Sequence, residues 1–204
     1  MKTYPRKKSA FTLVELLVVI AIIGILAGLL IPGVGAAIKN ASIADARTQF
    51  ANMASGISQY KQEYGYYPAI GELRQGKAID LGEDDNGDAF AKALTGYDVK
   101  GDEISLGDPL NRKQRRFFTF SEGEIDDQGR VVDNFGNYHI FIAVDHDGDG
   151  VINLDEVGEK GVDDKMKEAA ELLEADPPIV RAKVILWTTR NLDVPDSEYV
   201  FTWK

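Results

Sequence analysis

The sequence predicts an α+β fold in which one long N-terminal helix packs against a small antiparallel sheet. Three observations carry this expectation. An apolar run from Phe11 to Ile31 passes without a break into helical periodicity that lasts to about Tyr64. Four segments rich in β-branched and aromatic residues follow, at 116–120, 138–144, 180–188 and 199–203. No internal repeat is evident, and 204 residues have room for one ordinary domain plus an appendage. The expected organisation is a leader of residues 1–10, a helix of residues 11–64 and a globular head of residues 65–204.

The helix begins as a candidate membrane span. Phe11 to Ile31 contains one charge, Glu15. About 20 apolar residues at 1.5 Å rise cross a bilayer core of about 30 Å. Lys2, Arg6, Lys7 and Lys8 precede the run, and positive residues stay cytoplasmic, so a single pass with the N-terminus inside and the head outside is expected. A secretory signal peptide would have a shorter apolar core, with a small-residue cleavage site of which Gly35-Ala36-Ala37 is a weak imitation. Neither a signal peptide nor a generic anchor explains Glu15, because a carboxylate within a span is costly and calls for a specific partner.

Ser9-Ala10 followed by Phe11-Thr12-Leu13-Val14-Glu15 resembles the cleavage and methylation motif of type IV prepilins and type II secretion pseudopilins. The resemblance implies cutting between Ala10 and Phe11 by a prepilin peptidase, methylation of the Phe11 amine, and a Glu15 carboxylate that engages the N-terminal amine of a neighbouring subunit. It also implies a bacterial inner-membrane protein with a periplasmic head. Its partners would be further copies of itself in a homopolymer, other pseudopilins and an inner-membrane assembly platform. One departure is Ala10, where the family usually has glycine.

Past Pro32 a small-residue stripe continues through Ile38, Ala41, Thr48, Ala51 and Ser58, beside an apolar face of Phe50, Met53, Ile57 and Tyr60. Gly24 and Pro32 fall where pilin helices often flex or kink. Gly65 and Pro68 stop the helix. The phrase from Tyr60 to Pro68 resembles the end of the long helix in pseudopilins. In the head, residues 69–87 read as a loop, and a short helix capped near Asp88 carries Phe90, Leu94 and Tyr97. Residues 163–175 form a further amphipathic pattern, with Met166, Ala170 and Leu173 on one side and Pro177-Pro178 ending it. In the last strand Tyr199, Phe201 and Trp203 share one face, and Val200 and Thr202 the other. Asp133 to Tyr138 partly resembles a turn that leads into the sheet of major pseudopilins.

Residues 145–156 fit the twelve-residue EF-hand calcium loop. Asp145, Asp147 and Asp149 stand at its first, third and fifth places, and Gly150 at the sixth. The Val151 carbonyl serves the seventh, Asn153 the ninth and Glu156 the twelfth. The competing reading is an acidic solvated turn, which does not account for Ile152 and Glu156. Because a strand and not a helix enters the loop, a structural Ca²⁺ is expected rather than a regulatory one. Residues 84–88 make a second, incomplete acidic turn.

Composition excludes other functions. The chain has 23 basic and 33 acidic residues, a net charge of −10, and loss of the leader leaves 19 basic residues and a net charge of −14. Such a body disfavours nucleic acid. There is no cysteine, hence no disulfide and no thiolate nucleophile. His139 and His146 lack catalytic or metal-ligand spacing, and no nucleophile elbow or phosphate loop is present, so no enzyme is expected. A secretion pseudopilus subunit is the leading reading; a type IV pilus pilin and a membrane-anchored calcium-binding module outside such machinery are the alternatives.

Overall fold

The computed structural model describes residues 12–83, 85–158, 179–189, 191, 193–194 and 197–203, with the side chains of residues 29–33 and 36 excepted. Ala10, Phe11 and the expected helix at 163–175 lie outside the described residues. By its internal contacts the chain divides into Met1–Ala41 and Ser42–Lys204.

Helix α1 spans Leu13–Tyr64 and runs through Gly24 and Pro32. It ends where the sequence predicts: Gly65 takes φ 81° and its amide donates to the Lys61 carbonyl at 2.8 Å, the left-handed cap that glycine adopts at low cost. Within the first unit the described apolar side chains are exposed all round the helix, from Leu13 at 80 % through Leu17, Val18, Ile22 and Ile25 to Ile38. A helix apolar on every side needs lipid or protein around it. Among the described residues no helix is long and apolar enough to cross a membrane.

The second unit has its own core. Ala46, Phe50, Met53, Ile57 and Tyr60 are buried, which is the apolar face the sequence predicts, while Thr48, Ala51 and Ser55 stay exposed. Against this face stands a four-stranded antiparallel sheet in the order β1-β2-β5-β6: Ile79–Asp80, Ile140–Val144, Val184–Thr188 and Val200–Phe201. Strands β3, Ile152–Asn153, and β4, Ile179–Val180, form a separate two-stranded ribbon. Ile142 pairs with Leu186 and Trp187 with Phe201, so the pleat sorts side chains by face. Ile140, Ile142, Val144, Leu186 and Val200 join the helix-side core. Phe141, Ala143, Ile185, Trp187 and Phe201 form a second core with Ile152, Leu154, Val157 and Val180. The sheet is thus covered on both faces. This explains why its central strands, IFIAV and VILWT, are apolar throughout rather than alternating.

Several boundaries differ from those expected. Residues 116–120 form no strand: the amides of Phe117 and Phe118 both donate to the Leu94 carbonyl, at 2.7 and 3.1 Å, so the segment is tied to a helix end instead of a ladder. That helix, α2, spans Asn86–Thr95, so Asp88 lies in its first turn and not at its cap; Tyr97 falls beyond the Gly96 stop. The stretch 69–87 includes a 3₁₀ turn, Leu73–Gln75, and strand β1. The expected strand at 180–188 is two strands in different sheets, separated by a tight turn in which the Ala182 amide donates to the Val180 carbonyl at 3.0 Å. In the last strand the expected faces hold, with Phe201 and Trp203 in the second core and Val200 in the first.

Candidate assembly and metal sites

At the start of α1, Thr12 and Glu15 cap one another. The Thr12 amide and hydroxyl donate to Glu15 Oε2 at 2.8 and 2.7 Å, and the Glu15 amide donates back to Thr12 Oγ1 at 3.3 Å. This is a capping box, T-x-x-E, which satisfies amides that have no partner within the helix. The T-x-x-E spacing is legible in the sequence as a cap, a role separate from that of Glu15 as a charge in an apolar run. Its carboxylate therefore has a local partner, which an incoming amine would have to share or displace.

The second site is the loop between β2 and β3. Oxygens of Asp145, Asp147 and Asp149 gather within 4.8 Å of one another. One ion with ligand distances of 2.3–2.6 Å can bridge oxygens so spaced, and calcium takes such hard oxygen donors. The gathering follows from the backbone. Gly148 and Gly150 turn at φ 84° and 85°, and their amides donate to the two Asp145 carboxylate oxygens at 2.7 and 3.0 Å. The Val151 amide donates to Asp149 Oδ1 at 2.8 Å. The Asp149 amide, aided by Asp145, holds the Asp147 carboxyl below its usual range. Asp145 is buried, and Asp147 and Asp149 are exposed.

The later ligand places are arranged differently. Glu156 is not among the gathered carboxylates; its Oε1 accepts from Asn153 Nδ2 at 3.0 Å, and Asn153 Oδ1 accepts the Asp155 amide at 3.0 Å. The Glu156 side chain must turn to join an ion at the three aspartates. Asp147, Asp149, Val151, Asn153 and Glu156 line one open cleft of about 460 Å³. The residues present therefore fit a calcium ion in kind, and the carboxylates of Asp145, Asp147 and Asp149 fit it also in position.

The loop is anchored from outside by residues that the calcium-loop motif does not mark, Lys61, Tyr67, Lys77 and Lys183. Lys61 Nζ donates to the Asp145 carbonyl at 3.4 Å and stands 4.0 Å over the Tyr67 ring. The Lys183 carbonyl accepts both the Asp145 amide at 2.9 Å and the Tyr67 hydroxyl at 3.0 Å. Lys77 Nζ donates to the Glu156 carbonyl at 2.7 Å. His146 packs on Gly76 at the end of the 3₁₀ turn. The other histidine, His139, sets Nδ1 2.6 Å from Oδ2 of buried Asp80, which also accepts the Gly82 amide at 2.8 Å through Oδ1. Burial raises the Asp80 carboxyl against both of these contacts. The pair ties β1 to the approach of β2, a structural role.

A long N-terminal helix and a small antiparallel sheet define a pilin-like α+β fold. Residues 5–31 match the family model described as the prokaryotic N-terminal methylation motif. The chain is 36 % identical over 64 residues to the type II secretion system core protein G of Pseudomonas aeruginosa, a match covering 31 % of this chain and 45 % of that protein. It thus spans less than half the length of that relative. No solved structure matches. Over these N-terminal residues the chain is similar to prepilin-type proteins and to a pseudopilin.

Proposed function

We propose that this chain is a structural subunit of a type II secretion pseudopilus, cut after Ala10 by a prepilin peptidase, methylated on Phe11 and polymerised through its N-terminal helix to support protein export. The observation that carries this reading is the methylation motif over residues 5–31, which runs into the first turns of a helix whose described apolar side chains are exposed all round. Read whole in the sequence, the apolar run Phe11–Ile31 supports insertion in the bacterial inner membrane, with the basic leader cytoplasmic and the head periplasmic. The partners of this reading are further copies of the chain, other pseudopilins and the inner-membrane assembly platform. Glu15 supplies the charge that an N-terminal amine would pair with inside the apolar bundle, where an unpaired charge is costly. Co-expression with a prepilin peptidase tests the first step: the mature chain should begin at methylated Phe11, and an uncut chain would contradict the reading.

The head carries a structural Ca²⁺ on this reading, held by Asp145, Asp147, Asp149, the Val151 carbonyl, Asn153 and Glu156. The three gathered aspartates support it. A bound cation would offset their mutual repulsion in a chain of net charge −10 that has no cysteine with which to form a disulfide. Calorimetry on the 42–204 unit should show one Ca²⁺ taken up, and Asp147→Ala should abolish uptake; an intact head that takes up none contradicts the metal reading and leaves the assembly reading standing.

A further inference from the structure

The head is acidic overall, yet four basic residues crowd into five positions: Arg112, Lys113, Arg115 and Arg116. All four are exposed. The loop that presents them is built and held. Asn111, fully buried, accepts the Tyr64 hydroxyl at 2.7 Å and the Arg115 amide at 2.9 Å, and donates to the Arg115 carbonyl at 2.6 Å. The Tyr60 hydroxyl donates to the Leu110 carbonyl at 2.6 Å, and the Lys113 amide to the Tyr64 hydroxyl at 3.0 Å. Gln114 adopts φ 48°, the one non-glycine residue with positive φ among those described, and its side chain donates to the Ile104 carbonyl. A cluster of like charges held in a fixed loop costs self-repulsion that an opposed partner would relieve.

Among the described residues of the head that partner is scarce. Glu63 accepts Lys113 Nζ at 2.7 Å and lies 3.9 Å from Arg115, which leaves Arg115 64 % exposed. Arg116 stands 5.0 Å over the Tyr97 ring, which neutralises nothing. Beside the loop, a shallow groove of about 410 Å³ runs between Asn52, Ser55 and Gln59 of α1 and residues 116–119. Its floor is polar enough to take a polar chain rather than an apolar helix.

We propose that Arg112, Arg115 and Arg116 form a cationic docking platform for the acidic head surface of a second copy of this chain. This rests on the reading of the chain as a polymerising subunit. The charge distribution selects the occupant: acidic heads of equal sign repel when crowded along a filament, and a basic platform facing a neighbour's acidic surface converts that repulsion into a directed contact. Such a contact joins two different surfaces of the same chain, head to tail, the kind that builds open helical filaments rather than closed dimers.

The test uses the full chain, processed and assembled with its machinery. The triple variant Arg112→Glu, Arg115→Glu, Arg116→Glu should give on the order of tenfold fewer filaments, since like charges across an interface repel strongly. The triple Arg→Lys variant should assemble as the wild type does. In filaments of that Lys variant, carbodiimide should couple the platform lysines to aspartates or glutamates of a neighbouring head, a readout that does not depend on the reversed variant folding. Wild-type filament yield from the charge-reversed chain would overturn the proposal. So would cross-links that lead only to a protein other than this chain, or none between heads. If the wild-type chain itself forms no filaments, the assembly reading fails and the platform proposal falls with it.

Discussion

At Gly76 the backbone takes φ 78°, and a Cβ placed there would stand 2.6 Å from His146 Nδ1. Gly76→Ala therefore meets two obstacles, the left-handed conformation, worth about 1–2 kcal/mol for a residue with a Cβ, and the ring. Urea denaturation of the variant should show at least that loss, and adding His146→Ala should recover the steric part alone. Asp133 offers a second test. Its Oδ1 accepts the amides of Phe135 and Asn137, at 2.8 and 2.9 Å, but its buried Oδ2 has no partner among the described residues, and burial raises the carboxyl above its ordinary range. The folded state thus binds the Asp133 proton more tightly than the unfolded chain does. Its contribution to stability is full below the ordinary carboxylate range and is lost as pH rises through the raised value. Asp133→Asn should flatten that slope and stabilise the head at neutral pH; denaturation midpoints that stay parallel to the wild type from acid to neutral pH would contradict this. At this scale the sequence showed motif residues well. Asp145, Asp147 and Asp149 do converge, because the spacing of aspartates and glycines dictates the turn. Lys61, Tyr67 and Asn111 were invisible, since their roles depend on carbonyls and amides brought close only by the tertiary fold.

Among the elements, α1 was legible to its last residue, because helical periodicity and the Gly65 stop are local signals. The strand expected at 116–120 was not, because Phe118, Phe120 and Phe90 cluster at 5.0–6.3 Å through contacts that alternation cannot distinguish from a pleat. The loop that follows α2 is fixed to α1 through Asn111. Asn111→Ala would leave the Arg115 amide and carbonyl short of partners, and about 1–3 kcal/mol should be lost in chemical denaturation. Ribbon β3–β4 grows directly from the candidate metal loop, and Ile152 and Val180 help to cover the Trp187 face of the sheet. A calcium ion bound at a hundred times its dissociation constant adds about 2.7 kcal/mol to the folded state. Chelation should therefore lower the melting temperature of the wild-type head and leave that of Asp147→Ala unchanged. An equal shift in both would remove calcium from the account.

For the molecule as a whole, the two units present opposite surfaces: an apolar helix exposed all round in the first, and a head with a buried two-sided sheet and an acidic exterior in the second. The first is unsuited to water alone and the second to lipid, which is the division of labour a membrane-assembled filament requires. Glu15 is where the two demands meet, since it caps its own helix through Thr12 and is proposed to pair with a neighbour's amine. Substitutions separate those roles. Glu15→Gln keeps an oxygen for the cap and loses the charge, whereas Thr12→Ala weakens the cap, at about 0.5–2 kcal/mol, and keeps the charge. The most direct measurement is electron microscopy of filaments formed by these two variants in cells that process the chain after Ala10. Thr12→Ala should assemble and Glu15→Gln should not; filaments of wild-type number from Glu15→Gln would contradict the claim that this chain polymerises through the Glu15 charge.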